Sequence, residues 1–152
     1  MTSAPDSSST DALQLDNQLC FALYSTALQM EKAYQPHLKA LGLTFPQYLV
    51  LLVMWEHGAL TVSDIGKHLL LDSGTLTPML KRMEAHGLVM RERDATDERR
   101  VIVTLTAKGD EMRVHATAIR MCILQATGCT TQQAKDLTQR IQRVREHLLT
   151  AA

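Results

Sequence analysis

The fold of this chain is decided by one stretch, Asp72-Ser73-Gly74-Thr75-Leu76-Thr77-Pro78-Met79-Leu80-Lys81-Arg82-Met83-Glu84-Ala85-His86-Gly87. Asp72 has the side chain of a helix N-cap, and Gly87 supplies the left-handed residue that commonly ends a helix. Between these two residues the apolar side chains recur at the spacing of one buried helical face. They are Leu76, Met79, Leu80 and Met83. The stretch therefore predicts an amphipathic helix.

The opposite face of this helix carries short hydroxyls near its start, followed by two cations. These residues are Ser73, Thr75, Thr77, Lys81 and Arg82. Hydroxyls and free amides at a helix N-terminus can approach bases and phosphates, and cations attract the DNA backbone whatever its sequence. We interpret the stretch as a recognition helix. A solvated amphipathic helix with ordinary caps fits these residues alone equally well, so the flanking segments decide between the two.

The segment before the recognition helix contains a second helix start, Thr61-Val62-Ser63-Asp64. Ile65 and Leu69 give this short helix a buried face, and it is expected to end near Leu70. A short helix and a tight break before the recognition helix form a helix-turn-helix. Pro78 lies inside the recognition helix and is expected to distort its first turns.

The segment after the recognition helix changes to the two-residue period of a β-hairpin. Residues 88–93 and 100–105 are predicted as strands, and the charged residues 94–99 as the turn between them. A hairpin in this position is a wing, and Arg99 at its tip can enter a minor groove while Asp97 holds it extended. Arg91 in the first strand is predicted to contact DNA as well. The alternative for Asp97 and Arg99 is a solvated ion pair worth at most about 1 kcal/mol.

The remaining helices are predicted from their caps and apolar spacing. A first helix covers residues 13–34 and is ended or kinked at Pro36, and a core helix runs from a Thr44/Gln47 capping box to Gly58. One helix follows Thr106 to about residue 127, and the last begins at Thr130 or the next residue. The terminal helices expose more apolar surface than one copy covers, which predicts a homodimer and a two-fold DNA site.

Composition limits the classes of protein that this sequence can represent. The chain has 152 residues with 16 basic and 16 acidic side chains, which argues against indiscriminate nucleic-acid binding but allows a local basic surface. Residues 1–12 are poor in apolar side chains and are predicted to form a disordered tail. No membrane-length apolar run or leader is evident, and three cysteines do not make a secreted disulfide framework, so we expect a soluble cytoplasmic protein.

Cys20 is the candidate for redox chemistry. Tyr24 lies four residues further along the first helix, within reach of the sulfur, and its phenol can donate a hydrogen bond that stabilises a thiolate. Tyr34 lies fourteen residues from Cys20, about 21 Å along a helix, so it can serve that thiol only across a dimer interface. The alternative is a buried cysteine that fills a small apolar gap.

Taken together, these segments resemble the MarR family of winged-helix regulators over essentially the whole chain. Four stretches are similar to its organic-hydroperoxide sensor branch: Leu15-Asp16-Asn17-Gln18-Leu19-Cys20-Phe21-Ala22-Leu23-Tyr24, Pro46-Gln47-Tyr48-Leu49, Leu71-Asp72-Ser73-Gly74-Thr75-Leu76-Thr77-Pro78 and Asp97-Glu98-Arg99. The resemblance implies a mainly α fold with a small β-wing and one winged helix-turn-helix domain over residues 13–152. Within it, residues 13–43 and 107–150 would form the homodimer and residues 44–106 would bind DNA.

The resemblance also implies a function, a redox-sensing repressor. A reduced dimer would bind an inverted repeat in double-stranded promoter DNA, and an organic hydroperoxide would oxidise Cys20 as the peroxidatic thiol. Tyr24 and the partner subunit's Tyr34 would hydrogen-bond that thiol. A disulfide with a resolving cysteine would follow, for which Cys129 in a glycine-containing loop is favoured over Cys122, which is expected to be better packed. Phe45 departs from the branch, because relatives often carry a tyrosine there.

Three other functions stay open at this point. One is a winged-helix repressor that a non-covalent phenolic ligand releases, with Cys20 a passive core residue. Another is a thiol peroxidase, against which the sequence offers no Cys-x-x-Cys pair and no evident base near Cys20. A metal sensor using Cys122, Cys129 and His115 lacks compact ligand spacing. We expect no enzyme activity, no metal and no cofactor.

Overall fold

A computed structural model of the chain describes residues 11–152. The first ten residues of the predicted tail lie outside this range. The last two tail residues, Asp11 and Ala12, are helical, so the prediction of disorder is wrong for them. Their backbone carbonyls accept hydrogen bonds from the side-chain amides of Asn17 at 2.8 Å and Gln18 at 2.6 Å. These bonds tie the end of the tail to the chain that follows it.

The described chain is mainly helical with one small sheet. Its helices are α1 (Leu19–Ala40), α2 (Phe45–His57), α3 (Val62–Leu69), α4 (Ser73–Ala85), α5 (Ala107–Glu111), α6 (Arg113–Ala126) and α7 (Thr131–Ala151), and a 3-10 helix, Leu15–Asn17, precedes α1. The strands β1 (Leu60–Thr61), β2 (Val89–Arg93) and β3 (Val101–Leu105) form an antiparallel sheet in the order β1-β3-β2. This arrangement confirms the winged helix-turn-helix.

The core is organised around α2, as its nearly continuous apolar sequence predicts. Val50, Leu51 and Met54 of α2 are buried, and they belong to the same cluster as the apolar face of α4. All four residues predicted for that face are buried: Leu76, Met79, Leu80 and Met83. Within residues 11–152 no single helix is long and apolar enough to cross a membrane, whereas the bent pair α1 and α2 passes that test together.

The predicted helix starts are confirmed by their caps. The Thr44 hydroxyl accepts a hydrogen bond from the backbone of Gln47, whose side chain returns one to the Thr44 backbone. Thr61 caps α3 and Thr130 caps α7 in the same way, by accepting from the backbone N–H three residues further on. Cap chemistry is local, which explains why the sequence predicts these boundaries well.

The boundaries predicted for the first helix are wrong at both ends. Helix α1 begins at Leu19 instead of residue 13, because Gln18 is extended and the chain before it turns as a 3-10 helix. It then continues through Pro36 to Ala40. A proline inside a helix costs about 3 kcal/mol, but the continuation carries Leu38 into the core at 1% exposure. Burying one leucine recovers about 1.5–3 kcal/mol, so its packing offsets much of the cost of the proline.

Two further elements differ from the prediction. The helix expected after Thr106 is broken at Met112 into α5 and α6. The break accompanies two long-range hydrogen bonds: Trp55 Nε1 donates to the Gly109 carbonyl at 3.1 Å, and Arg113 donates to the Trp55 carbonyl at 2.9 Å. Strand β1 was not predicted, because two residues are too few to establish a period.

Helix α5 packs tightly against the residues that leave α4. The Thr106 hydroxyl donates to the Gly87 carbonyl at 2.6 Å, and Lys108 Nζ donates to the His86 carbonyl at 2.8 Å. Gly109 lies so close to the chain that a Cβ built on it would be 2.1 Å from the carbonyl oxygen of Leu88. Only glycine fits at this position without a shift of the backbone.

We expect Gly109→Ala to lower the free energy of unfolding by about 2 kcal/mol, the usual cost of forcing extra volume into a packed site. Helix propensity alone would favour alanine by about 1 kcal/mol. The sign of the change in unfolding free energy therefore shows whether the steric clash or the helix propensity dominates. Urea denaturation followed by circular dichroism measures the change. Glu111→Ala in the same helix is the control, expected within about 0.5 kcal/mol of wild type. Equal or greater stability of Gly109→Ala would contradict the close approach.

A candidate nucleic-acid interface and redox site

The turn between α3 and α4 brings the two helices close together. Leu70 adopts the left-handed conformation with φ 56°, and the next N–H, of Leu71, donates to the Gly66 carbonyl at 3.0 Å. A Cβ on Gly66 would lie 2.6 Å from the Leu71 carbonyl oxygen, so glycine permits this contact. The backbone N–H of Thr75 donates to Asp72 at 2.8 Å and holds the pKa of the Asp72 carboxyl below its usual range.

The polar face predicted for α4 lies on the surface of the structure. Ser73, Thr75, Lys81 and Arg82 are exposed, and Thr77 is half-buried. The Thr75 hydroxyl donates to Asp72 at 3.2 Å, so its oxygen remains available as an acceptor. Pro78 is accommodated inside α4, which continues to Ala85.

A groove between the helix-turn-helix and the wing gathers several of the predicted DNA-binding residues. Ser73 and Thr77 of α4 line it together with Arg99 of the wing. Arg91 lines the groove as well, and the residues there that the sequence did not single out for DNA binding include Ser63, Lys67 and Arg100 beside the acidic Asp64. Lys67 and Ser63 lie on α3, where a helix-turn-helix can approach phosphates, and that position was the signal available for finding them. The groove combines hydroxyls and cations from three elements.

The tip of the wing is shaped by its own carboxylates. Asp97 accepts a hydrogen bond from the backbone N–H of Arg99 at 3.1 Å, and its oxygen lies 3.9 Å from the Arg99 side chain. Asp94 accepts from both the backbone and the hydroxyl of Thr96. The Arg99 side chain is 95% exposed. Asp97 therefore fixes the turn, while the Arg99 guanidinium projects into solvent.

Arg91, which was predicted to contact DNA, is bound to a carboxylate of α4. Its Nε and Nη2 donate to Glu84 Oε2 at 3.1 and 3.0 Å, and its backbone N–H donates to Glu84 Oε1 at 3.2 Å. These bonds hold the pKa of the Glu84 carboxyl below its ordinary value. The Arg91 side chain is only 20% exposed. The structure therefore holds this cation against α4, and Arg91 also lines the groove that contains Ser73, Thr77 and Arg99.

Cys20 lies in the first turn of α1 and is exposed, not in the interior of a helix. The N-cap of α1, Gln18, contributes no side-chain hydrogen bond to that turn. Solvent and a peroxide can therefore reach the Cys20 thiol in one copy of the chain.

The two tyrosines predicted to serve Cys20 lie in different surroundings. Tyr24 is 65% exposed, and no hydrogen bond joins it to Cys20 in the described chain. The ring of Tyr34 packs 5.1 Å from Phe45 and 5.4 Å from Tyr48. Burial raises the pKa of Tyr34 against the opposing charge of Arg120, so its phenol stays protonated at neutral pH and can donate a hydrogen bond.

The two candidate resolving cysteines are both free thiols. Cys129 is half-buried in the loop before α7, with its sulfur 3.9 Å from the Thr127 carbonyl. Cys122 is exposed, so the expectation that it is the better packed of the two is wrong. The reason is that α6 packs inward through Ile119 and Ile123 instead. Accessibility alone does not separate the two candidates.

The outer helices present a large apolar surface. On the first part of the chain it includes Leu13, Leu15, Leu19, Tyr24 and Leu28, and on the last two helices it includes Val114, Met121, Leu137, Ile141, Leu148 and Leu149. The sequence predicted that the terminal helices expose more apolar surface than one copy covers, and one copy of the chain does leave these side chains exposed. Exposed apolar side chains in such number indicate an interaction site.

The chain resembles known transcriptional regulators in both sequence and structure. Residues 32–114 match the family described as transcriptional regulator SarA/Rot. The organic hydroperoxide resistance transcriptional regulator of Bacillus subtilis (strain 168) is 50% identical over 129 residues, which cover 85% of this chain and 86% of that protein.

Two solved structures of one regulator are also similar. Reduced AbfR of Staphylococcus epidermidis bound to DNA has a TM-score of 0.72 and 39% identity, and it covers 91% of this chain and 98% of its own. Disulfide-formed AbfR has a TM-score of 0.65 and 39% identity, with 91% and 97% covered. These relatives include a DNA-bound reduced form and a disulfide form.

The Asp72 cap predicts a specific pH dependence of stability. Because folding lowers the pKa of this carboxyl, its contribution is present above the ordinary aspartate pKa, about 3.9, and is lost as the pH falls through the folded value. Asparagine caps helices without titrating in this range. We therefore expect the urea midpoint of wild type to fall more than that of Asp72→Asn between about pH 7 and pH 3. Parallel curves would contradict this role; Glu111→Gln is the control and should follow wild type.

Proposed function

Because this chain belongs to the MarR family of winged-helix transcriptional regulators, in the branch of the organic hydroperoxide resistance regulators, we propose that organic hydroperoxides relieve its repression by oxidising Cys20. It is a redox-sensing, DNA-binding repressor and not an enzyme. The observation that carries the proposal for Cys20 is its place in the exposed first turn of α1. Such a protein works on DNA in the cytoplasm.

The DNA-binding form is a reduced homodimer on an inverted repeat. Helix α4 enters the major groove, where Ser73, Thr75 and Thr77 meet bases or phosphates and the two cations Lys81 and Arg82 meet the backbone. Arg99 at the exposed wing tip reaches the adjacent minor groove. The groove that already joins Ser73, Thr77 and Arg99 on one surface supports this assignment. Lys67 and Arg100 add charge beside it.

The homodimer forms through the terminal helices. The exposed apolar side chains of α1, α6 and α7 support this interface, because a second copy can cover them by two-fold symmetry. Tyr34 lies too far along α1 to reach Cys20 of its own chain, so it approaches the thiol of the partner subunit. Its protonated phenol then donates a hydrogen bond to that thiolate, and Tyr24 supplies a second from the same chain.

Oxidation proceeds in two balanced steps. The Cys20 thiolate attacks the terminal oxygen of the hydroperoxide, the O–O bond breaks, and the departing alkoxide takes a proton to leave as an alcohol. The sulfenic acid at Cys20 is then attacked by a second thiol, water leaves, and a disulfide forms. Cys129 is the proposed second thiol and Cys122 is its alternative. Since Cys20 lies in a dimer-forming helix, the new bond changes the spacing of the two recognition helices and weakens phosphate contacts in both half-sites.

A repressor released by a non-covalent ligand is the second candidate. One observation favours it, a groove between α1 and α2 with an apolar lining that includes Leu28, Leu38 and Phe45. Lys32 and Lys39 also line this groove and would suit an acidic phenol. This candidate requires no chemical change at Cys20. Release of DNA by a hydroperoxide is therefore expected for the redox sensor and not for the ligand-released repressor.

The deciding experiment is a mobility shift of operator DNA by reduced protein before and after an organic hydroperoxide. We expect wild type to release the DNA and Cys20→Ser to keep it, because serine cannot form a sulfenic acid. Tyr24→Phe, which preserves the ring, is expected to slow release without abolishing it. If the hydroperoxide released the DNA from both wild type and Cys20→Ser, the proposal would be wrong. Release of the DNA by phenols alone would support the second candidate.

A non-reducing gel of the oxidised protein tests the resolving cysteine. We expect a covalent dimer band in wild type and in Cys122→Ser, and its loss in Cys129→Ser, because Cys129 lies in a loop that can move toward the partner's Cys20. Loss of the band in Cys122→Ser alone would exchange the two assignments. Cys20→Ser is the control and should give no band with either partner.

A further inference from the structure

The recognition helix and the wing are joined by one side-chain pair that the proposed function does not use. Glu84 lies in the last part of α4, and Arg91 lies in the middle of β2. Three hydrogen bonds of 3.0–3.2 Å connect them, two from the guanidinium and one from the Arg91 backbone N–H. Both carboxylate oxygens of Glu84 and two kinds of donor on Arg91 take part. The hydrogen bonds therefore fix the orientation of the two side chains as well as the distance between them.

The position of β2 in the sheet makes this pair more than a surface ion pair. Strand β2 is at the edge of the sheet, with β3 on its other side. Glu84 therefore accepts a hydrogen bond from a backbone N–H on that edge, the N–H of Arg91, and it also binds the Arg91 side chain. Arg91 pairs with Val103 in the hairpin register, midway between the base and the end of the paired strands. The clamp, as we call Glu84 with Arg91, holds the wing partway along its length.

The other attachments of the wing hold strand β3 and the base of the hairpin. Strand β3 pairs with β1 over two residues, where Leu60 and Thr61 face Val103 and Ile102. The backbone and hydroxyl of Thr106 bind the carbonyl of Leu88 just before β2 begins. None of these hydrogen bonds joins β2 to α4. The clamp makes that connection, so it is the contact placed to fix the edge strand of the wing relative to the recognition helix.

We propose that Glu84 is a positioning residue for operator recognition, which acts through Arg91 to set the wing relative to α4. The inference rests on the proposed function and adds to it the residue that makes two groove contacts act together. Arg99 and the hydroxyls of α4 must meet the minor and major grooves at one spacing. Holding that spacing before binding saves the entropy that a swinging wing would lose on DNA.

A direct role of Arg91 at phosphate is the competing explanation, and it predicts the opposite sign. If Arg91 were a DNA-binding cation merely held by Glu84, Glu84→Ala would free it, remove a negative charge, and strengthen binding to any DNA. If Glu84 positions the wing, Glu84→Ala weakens operator binding by about tenfold, the scale of one lost specific contact. Binding to unrelated DNA would then change little. Fluorescence anisotropy with both DNAs, on reduced protein, separates these outcomes.

Two variants separate geometry from charge. Glu84→Gln removes the same negative charge as Glu84→Ala but keeps an oxygen acceptor and the shape of the side chain. We expect it to retain most of the operator affinity, whereas a pure charge effect would make it behave like Glu84→Ala. Glu92→Ala is the matched control, an exposed carboxylate on the same strand. It should leave operator specificity close to wild type.

The coupling between the clamp and Arg99 is the decisive readout. Arg99→Ala should weaken operator binding in wild type but much less in the Glu84→Ala background, because a wing that swings no longer presents Arg99. Equal effects of Arg99→Ala in both backgrounds would overturn the proposal, as would operator binding by Glu84→Ala at or above the wild-type level. Circular dichroism verifies folding, and Glu84→Gln keeps the test decisive if Glu84→Ala unfolds. Failure of wild type to bind operator would instead count against the proposed function.

Discussion

Every functional feature of this molecule depends on the burial of one face of α4 in the core formed around α2. Leu76, Leu80 and Met83 of α4 are completely buried there. A fully buried side chain of this size contributes about 1.5–3 kcal/mol, so the three together resist any rotation of the helix. Because the apolar face is fixed, the opposite face must meet solvent. The core therefore sets the direction in which the hydroxyls and cations of α4 point.

The two ends of α4 are held by different chemistry, and this difference suits their roles. At its start the Asp72 carboxylate caps the helix and leaves the neighbouring hydroxyls on the surface. At its end, carbonyls of the exit segment accept hydrogen bonds from Thr106 and Lys108, which lead into α5. The start is free to approach a ligand, while the end is connected through α5 to α6, which carries Cys122, and to the following loop, which carries Cys129. In the proposed switch, a displacement of α6 or of that loop would reach α4 through its C-terminal end.

Local chemistry was predictable from the sequence, and interactions between distant elements were not. The caps at Thr44 and Asp72 and the buried positions of α4 follow from neighbouring residues. The continuation of α1 through Pro36 depends on where Leu38 packs, which no local pattern contains. The sequence predicted Arg91 as a DNA contact but did not reveal its partner Glu84, which lies across a turn on another element. The exposed state of Cys122 likewise depends on which face of α6 meets the core.

The energetics of the proposed switch can be compared with what a two-state regulator needs. In the proposed dimer the exposed apolar residues around Cys20, such as Leu15 and Leu19, would pack against the partner. Oxidation then adds a polar oxygen inside an apolar contact, at a cost of about 1–3 kcal/mol for each unsatisfied group. Two-fold symmetry doubles this to about 2–6 kcal/mol. Moving an equilibrium from 1:99 to 99:1 requires about 5.5 kcal/mol, which the two oxygen atoms alone reach only at the upper limit of their range, so the disulfide that follows must supply the remainder of the switch.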